Sequence, residues 1–349
     1  MHRAAAETYC CPYTGQPLRF EVEEENEQEV MRGTLVTQAG LRYPVVDGFP
    51  HLIQPDRETY NDEEQREKEF YEATSDTYDA VIDWLFASFY EDEGAIRGKV
   101  IDLLDLTPTS CVLEIGAGTC RDTVWIARRL GRGARLFAQD LSPRMLAIGR
   151  ERLRSADLLD GANGLANFFI GNAARLPFPD GVFDAAFHFG GLNLFSDKGT
   201  ALAEMARVVR VGGKVVAGDE GVAPWHRRSD YGAILMNSSR LYTYLPPLEA
   251  LPECARDAGV RWLIGNAYYV IDFRVGSGLP RINLDLPIQG QRGGTHRTRF
   301  FGNLEGVTVE AKAMARDAAK ASGLSLHEWL DRAVRHQAGR TLKATRRAR

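Results

Sequence analysis

The chain of 349 residues is poor in cysteine, and the five it has (Cys10, Cys11, Cys111, Cys120 and Cys254) include no C-x-x-C pair. That spacing offers neither a disulfide framework nor a four-ligand zinc site, so no metal is expected and a reducing cytoplasm is the natural setting. Long hydrophobic runs are missing too. Nowhere do ~18 apolar residues follow one another, as a membrane-spanning helix needs, and the N-terminal stretch MHRAAAETYCCPY lacks the apolar core, ~7–15 residues long, of a secretory signal. Charge of one sign is also absent. The 43 basic and 47 acidic residues leave a formal charge of −4, which gives no general attraction to nucleic acid or to an anionic membrane. What remains is an ordinary globular composition, 44% hydrophobic and 26% charged. At ~150 residues per domain, the length predicts one large domain with an appendage or two.

The pattern divides the chain into four segments. Residues 1–54 read as a small β-rich unit, because LRFEVEEENEQEV and MRGTLVTQA flank a polar turn and GLRYPVVDGFPHLI is punctuated by Gly40, Pro44, Asp47-Gly48 and Pro50. The six glutamates between positions 21 and 29 read as a solvated hairpin tip. Residues 55–106 read as helices: Phe70, Tyr71, Tyr78, Val81, Ile82, Leu85, Phe86 and Phe89 mix helical spacings, and a second stretch, AIRGKVIDLLDL, stops at Thr107-Pro108. Residues 107–285 alternate apolar runs with helical patterns: CVLEIG, TVWIARRL, RLFAQDL, RMLAIGRERL, NFFIGN, FDAAFHF, ALAEMARVV and KVVAGDE. This predicts an α/β fold, a doubly wound and mostly parallel sheet with helices on both faces. After Trp225 a helix, a Pro-Pro break, another helix and the runs RWLIGN and YYVIDFRV bring the sheet to seven strands. Residues 286–349 read as a Gly-rich loop, a helix pair whose second member opens with Ser325 and Glu328 at capping-box spacing, and a frayed basic tail, RTLKATRRAR.

The sharpest chemical signal is VLEIGAGTC, residues 112–120, a buried strand carrying Glu114 and leading through a glycine turn into a helix. Gly116 and Gly118 let the backbone approach a ligand, and the first turn of the helix offers unpaired N–H groups. The next strand, RLFAQ, ends in Asp140, whose carboxylate can accept both hydroxyls of a ribose. A third element, GNAARLPFPDGVFD, follows NFFI. All three lie at carboxyl ends of successive strands, the edge where open α/β sheets bind ligands, so one nucleoside-containing ligand can touch them all. A dinucleotide G-x-G-x-x-G would need glycine at position 121, where Arg121 stands.

These motifs, EIGAGTC, AQDLSPRML, GNAARLPFPDGVFD and RVVRVGG in that order over residues 100–220, resemble the class I S-adenosylmethionine-dependent methyltransferases of the type-11, ubiquinone-methyltransferase-like group. The resemblance implies a Rossmann-like fold and S-adenosyl-L-methionine as cofactor. It places Glu114, Gly116, Ala117 and Gly118 at the methionine part, Asp140 at the ribose hydroxyls, Leu141 on the adenine face, and Asn172 and Ala173 at the adenine edge. Two positions depart from the family pattern: Cys120 stands for its third glycine and Asn172 for its aspartate.

Methyl transfer is an in-line displacement at a sulfonium carbon, so the protein must align the nucleophile and, for a hydroxyl or ammonium acceptor, remove a proton. His188, Asp219 and Glu220 at the ends of the next two strands are the candidates, with His188 equally able to line the cofactor pocket. Tyr71, Tyr78, Trp125, Trp225 and Tyr231 are candidates to wall the sulfonium. The segment CPYTGQPLRF…YPVVDGFPHLI is similar to the Trm112 type of zinc-ribbon domain but keeps only Cys11 at a ligand position, which implies a unit without zinc. VTVEAKAMARDAAKASGLSLHEWLDRAV resembles a ribbon-helix-helix unit distantly; an ordinary hairpin that docks on the catalytic domain or pairs two subunits is favoured. The expected partner is a small-molecule acceptor, with the N-terminal unit and the helices of 56–106 as a lid over its site. An RNA methyltransferase and a non-catalytic cofactor-binding regulator are the alternatives.

Overall fold

Alternation of apolar and polar residues turns the N-terminal segment into an antiparallel sheet: β1 (Arg19–Glu25), β2 (Val30–Val36), β3 (Arg42–Val46) and β4 (Phe49–Pro50), after a one-turn helix α1 (Arg3–Ala6). The structure, a computed structural model, describes residues 1–26, 29–57, 62–159, 165–289, 293–301 and 307–347, so the centre of the glutamate-rich hairpin tip lies outside the described residues. Glu21 and Glu25 pair with Arg42 (3.0 Å) and Arg3 (2.6 Å) on the exposed side of this sheet.

Helices α2 (Asp62–Ser88) and α3 (Glu93–Asp102) follow, the latter started by Asp92, which accepts the Ala95 N–H at 2.7 Å. Then come β5 (Cys111–Ile115), α4 (Arg121–Ala127), β6 (Arg135–Asp140), α5 (Pro143–Ser155), β7 (Leu165–Ile170), β8 (Phe183–Phe189), α6 (Lys198–Val208), β9 (Val209–Glu220), α7 (Asp230–Ser238), β10 (Ala255–Leu263) and β11 (Tyr268–Val275). The seven strands β5–β11 form one sheet in the order β10-β11-β9-β8-β5-β6-β7. Its members from β9 to β7 are parallel, and β11 runs antiparallel to both of its neighbours. Every residue of β5 is buried, as expected of a strand covered on both faces. Ser142 accepts the Met145 N–H (3.0 Å) with Pro143 behind it, and Asp197 accepts the Thr200 N–H (2.8 Å), which fixes where α5 and α6 begin.

The N-terminal unit seals an edge of the central sheet. The Leu52 N–H donates to Ile170 O (2.8 Å) at the end of edge strand β7, and the Tyr9 ring packs on Phe137, Phe169 and Phe178 with centroids 5.8, 5.6 and 5.3 Å away. A helical expectation also changes. Between the Pro-Pro break and β10 there is a single 3₁₀ turn, Leu248–Ala250, because Pro246, Pro247 and Pro252 leave no room for an α-helix.

Residues 1–280 and 281–349 are separate compact units. The second holds α8 (His296–Phe301) where a loop was read, then α9 (Val309–Ala321) and α10 (Leu326–Arg347). Ser325 and Glu328 form the reciprocal capping box, with N–H bonds of 3.0 and 3.2 Å. The basic residues up to Arg347 continue α10 instead of fraying, consistent with the good helix propensity of Leu, Lys, Ala and Arg.

Candidate active site

The sheet grows outward in two directions from its centre, β6 and β7 on one side of β5 and β8 and β9 on the other. Connections therefore diverge at the carboxyl ends of β5 and β8, which opens a crevice there. The loops bordering it touch. A Cβ built on Gly116 (φ +63°) would stand 3.0 Å from His188 Cε1, so glycine is what lets the loop after β5 pass the ring at the end of β8. Gly118 (φ +53°) meets nothing within 4 Å of its Cβ direction, leaving its backbone open to a ligand. Ala117 between them is buried.

Gln139, which sequence reasoning passed over, ties the ligand-facing loops together. Its Oε1 accepts the Gly116 N–H (3.1 Å), its Nε2 donates to Gly171 O (2.5 Å), and its carbonyl accepts the Ala117 N–H (2.8 Å). The available signal was a polar residue inside an apolar strand. Beside it, Asp140 accepts the Gly118 N–H on Oδ2 (2.7 Å) and the Ser142 N–H on Oδ1 (2.9 Å). A carboxylate has about four acceptor positions, so acceptor capacity remains for a ligand hydroxyl. Burial raises the Asp140 carboxyl, opposed by those N–H groups. Leu141 is half-buried at the start of the turn into α5, and Ala173 is half-buried after β7. The Asn172 amide oxygen accepts the Ala174 N–H (2.8 Å), closing its own turn.

His188 is 1% exposed. Its Nδ1–H donates to Ile115 O (2.8 Å), which leaves Nε2 as the acceptor of the neutral ring. Burial pushes its pKa down to about 4. Glu114 is likewise buried, and burial holds its carboxyl well above the usual range. His188 Nε2 and Glu114 Oε2 have no hydrogen-bond partner among the described residues. At the end of β9, Asp219 and Glu220 diverge. Asp219 is fully buried with its oxygens taken by the Asn193 N–H and by the Glu220 N–H (2.7 Å), whereas half-buried Glu220 accepts the Tyr268 hydroxyl (3.0 Å).

Helix α2 covers this edge. Glu72, Asp76, Asp79 and Asp83 recur at four, three and four positions, which lines them up on one helical face. Asp79 accepts the Thr119 hydroxyl (2.8 Å) and pairs with Arg121 (3.3 Å) and Arg152. Asp83 pairs with Arg121 (2.5 Å), Asp76 with Arg144, and Glu72 accepts the Ser142 hydroxyl. The acidic face thus clasps both α4 and α5, the helices that follow β5 and β6. Tyr78, on the same helix, lies within electrostatic reach of Asp140 and Glu220; burial and those charges, with that of Asp122 and against that of Arg97, push its phenol well above the ordinary value. Tyr71 stacks edge-on to Tyr78 at 6.1 Å. Of the other aromatic candidates, Trp125 sits under Arg128 (4.9 Å), Trp225 is 62% exposed, and Tyr231 donates to Gly265 O (2.6 Å).

Residues 113–217 match a family model described as a methyltransferase domain. Curated relatives named demethylmenaquinone methyltransferase, from Bacillus mycoides and Bacillus cytotoxicus, are 30% and 31% identical over 153 residues, 44% of this chain and 61% of each relative. The chain thus spans about three fifths of the length of the curated relatives it matches. Among solved structures, geranyl diphosphate C-methyltransferase from Streptomyces coelicolor is similar over 52% of this chain and 79% of its own, with 17% identity and a TM-score of 0.42.

The residues present fit S-adenosyl-L-methionine, the cofactor of such a domain: an open glycine cradle, a carboxylate with spare acceptor capacity, and two buried polar atoms that lack partners. Each such atom costs about 1–3 kcal/mol unless a ligand or water meets it. Among the described residues no three His, Cys, Asp or Glu side chains gather as a metal would require, and no helix is long and apolar enough to cross a membrane. Cys11 bonds the Tyr43 hydroxyl at 3.1 Å.

Proposed function

We propose that the chain transfers the methyl group of S-adenosyl-L-methionine to a small molecule. The observation that carries this reading is the clasp of α2 across the Gly116–Cys120 loop, where Asp79 accepts the Thr119 hydroxyl and Asp83 pairs with Arg121 beside the open Gly118 backbone. Gly116, Ala117 and Gly118 with Glu114 and His188 hold the methionine part, Asp140 the ribose hydroxyls, Leu141 the adenine face, and Asn172 and Ala173 its edge. The bound cofactor supplies an activated methyl group; the chain supplies alignment and exclusion of water. His188, neutral and low in pKa, lines the pocket, Asp219 positions the β9 end, and Glu220 is the group left to take a proton.

The name of the relatives, demethylmenaquinone methyltransferase, supports a small-molecule acceptor. The test is transfer of labelled methyl groups from S-adenosyl-L-methionine into a cell extract split into small-molecule and RNA fractions. Label is expected in the small-molecule fraction; label confined to RNA would contradict the reading.

A further inference from the structure

The proposed methyl transfer leaves unused a cleft of about 490 Å³ beside the turn after β7. Its walls come from residues 10–13 and Arg57 of the N-terminal segment, residues 174–176 after β7, and Glu204 and Arg207 on α6. Three guanidiniums and one carboxylate line it, and they are not equivalent. Arg207 is committed to the fold. Its five N–H donors, all that an arginine has, go to the two oxygens of Glu204 (2.5 and 2.8 Å), to Asp180 (2.9 Å) and to the carbonyls of Phe178 (2.7 Å) and Leu176 (3.1 Å). Glu204 is occupied in turn by Arg207 and by the Leu176 N–H (2.8 Å). The Arg57 guanidinium, by contrast, lies 5.6 Å from the centre of the Tyr13 ring and meets no hydrogen-bond acceptor among the described residues. Arg175 lies 5.5 Å from the same ring and donates to Arg57 O (3.3 Å). The ring itself is pinned, because the Tyr13 hydroxyl accepts the Gln54 N–H (2.9 Å). Two exposed guanidiniums held over one fixed ring, beside a carboxylate already neutralised, make a forked donor set for an oxyanion.

We propose that this cleft binds a phosphate-bearing small molecule through Arg57 and Arg175, and that its occupancy tightens the cofactor site. The volume lies in the range of small-molecule pockets, so a phosphate ester fits as well as inorganic phosphate. The route to the cofactor is short. The Arg175 N–H donates to Asn172 O (3.0 Å), and Asn172 and Ala173 are the residues assigned above to the adenine edge. An anion that fixes Arg175 orders that turn before the cofactor arrives, and by reciprocity each ligand then favours the other. The coupling rests on the methyltransferase reading; the anion site does not.

The test is calorimetric titration of the full chain with inorganic phosphate and with glycerol 3-phosphate, at an ionic strength held constant with chloride. One saturable site per chain is expected; tighter binding of the ester points to an esterified ligand, and tighter binding of phosphate to the inorganic ion. Arg57→Gln should weaken that binding by about tenfold, as a charged hydrogen-bonding group is lost, and should leave the affinity for S-adenosylhomocysteine measured without phosphate unchanged. Arg175→Gln is the second variant and should weaken anion binding likewise. In the wild type, saturating anion should raise the affinity for S-adenosylhomocysteine by about fivefold, a gain that should vanish in Arg57→Gln. Absence of saturable binding by both anions, or equal anion affinity in Arg57→Gln, overturns the site. Anion binding that leaves S-adenosylhomocysteine affinity unchanged overturns the coupling. Failure of the wild type to bind S-adenosylhomocysteine at all overturns the methyltransferase reading instead, while the anion titration still decides the site.

Discussion

Cys120 takes the left-handed backbone conformation, φ +61°, at the position where a third glycine is usual. Its side chain fills the space above Gly149 of α5: a Cβ there would lie 2.2 Å from Cys120 Sγ and 2.8 Å from its Cβ. The glycine has in effect moved from the loop to the helix it packs on. Gly149→Ala should therefore destabilise the fold by about 1–3 kcal/mol through overpacking, and Cys120→Gly should rescue much of that loss. Denaturant unfolding of the two single variants and the double measures the coupling, and additive effects would contradict it. The departure at Cys120 was legible in the sequence, but its compensation was not, since contact between a loop and a distant helix is tertiary. Buried His188 offers a second check. Its pKa falls from 6.5 to about 4, so below pH 6.5 the unfolded chain binds a proton that the folded chain refuses. Stability present above pH 6.5 is then lost as pH falls toward 4, by about 3 kcal/mol in full. His188→Gln should flatten that part of a pH–stability curve; an unchanged slope would show that the ring does not carry it.

The strands of the central sheet could be read because burial on both faces makes them continuous apolar runs, as in CVLEI and FDAAFHF. Helix α2 could be read as a helix, but not as a clasp. Its carboxylates at 72, 76, 79 and 83 have the spacing of one face, and only the fold reveals that Arg121, Arg144 and Arg152 stand opposite. Asp79 is the centre of that clasp, engaging Thr119, Arg121 and Arg152 together. Asp79→Asn should loosen the cover. Amide hydrogen exchange across residues 69–83 should quicken and S-adenosylhomocysteine should bind more weakly, by roughly tenfold if one or two charged hydrogen bonds are lost. Raising salt should weaken the wild type in the same direction, because the outer pairs are open to solvent. Exchange that stays at the wild-type rate in Asp79→Asn would show that the ion pairs do not hold the helix.

At the scale of the molecule, the first unit joins an edge-sealing antiparallel sheet, a covering helix and the seven-stranded sheet, and the second is a helical unit with its own caps. The order of the motifs disclosed the central domain, whereas the placement of the N-terminal sheet on edge strand β7 was hidden, since nothing local to YPVVDGFPHLI says which strand it meets. On the proposed reading, the loop after β5 and Asp140 hold the cofactor beneath α2. The most direct measurement is calorimetric titration of the full chain with S-adenosylhomocysteine, beside Asp140→Ala. The account predicts one molecule bound per chain, and an affinity loss of about 1–3 kcal/mol in the variant as charged hydrogen bonds to the ribose disappear. No binding at millimolar ligand, or equal affinity in the two proteins, would contradict it.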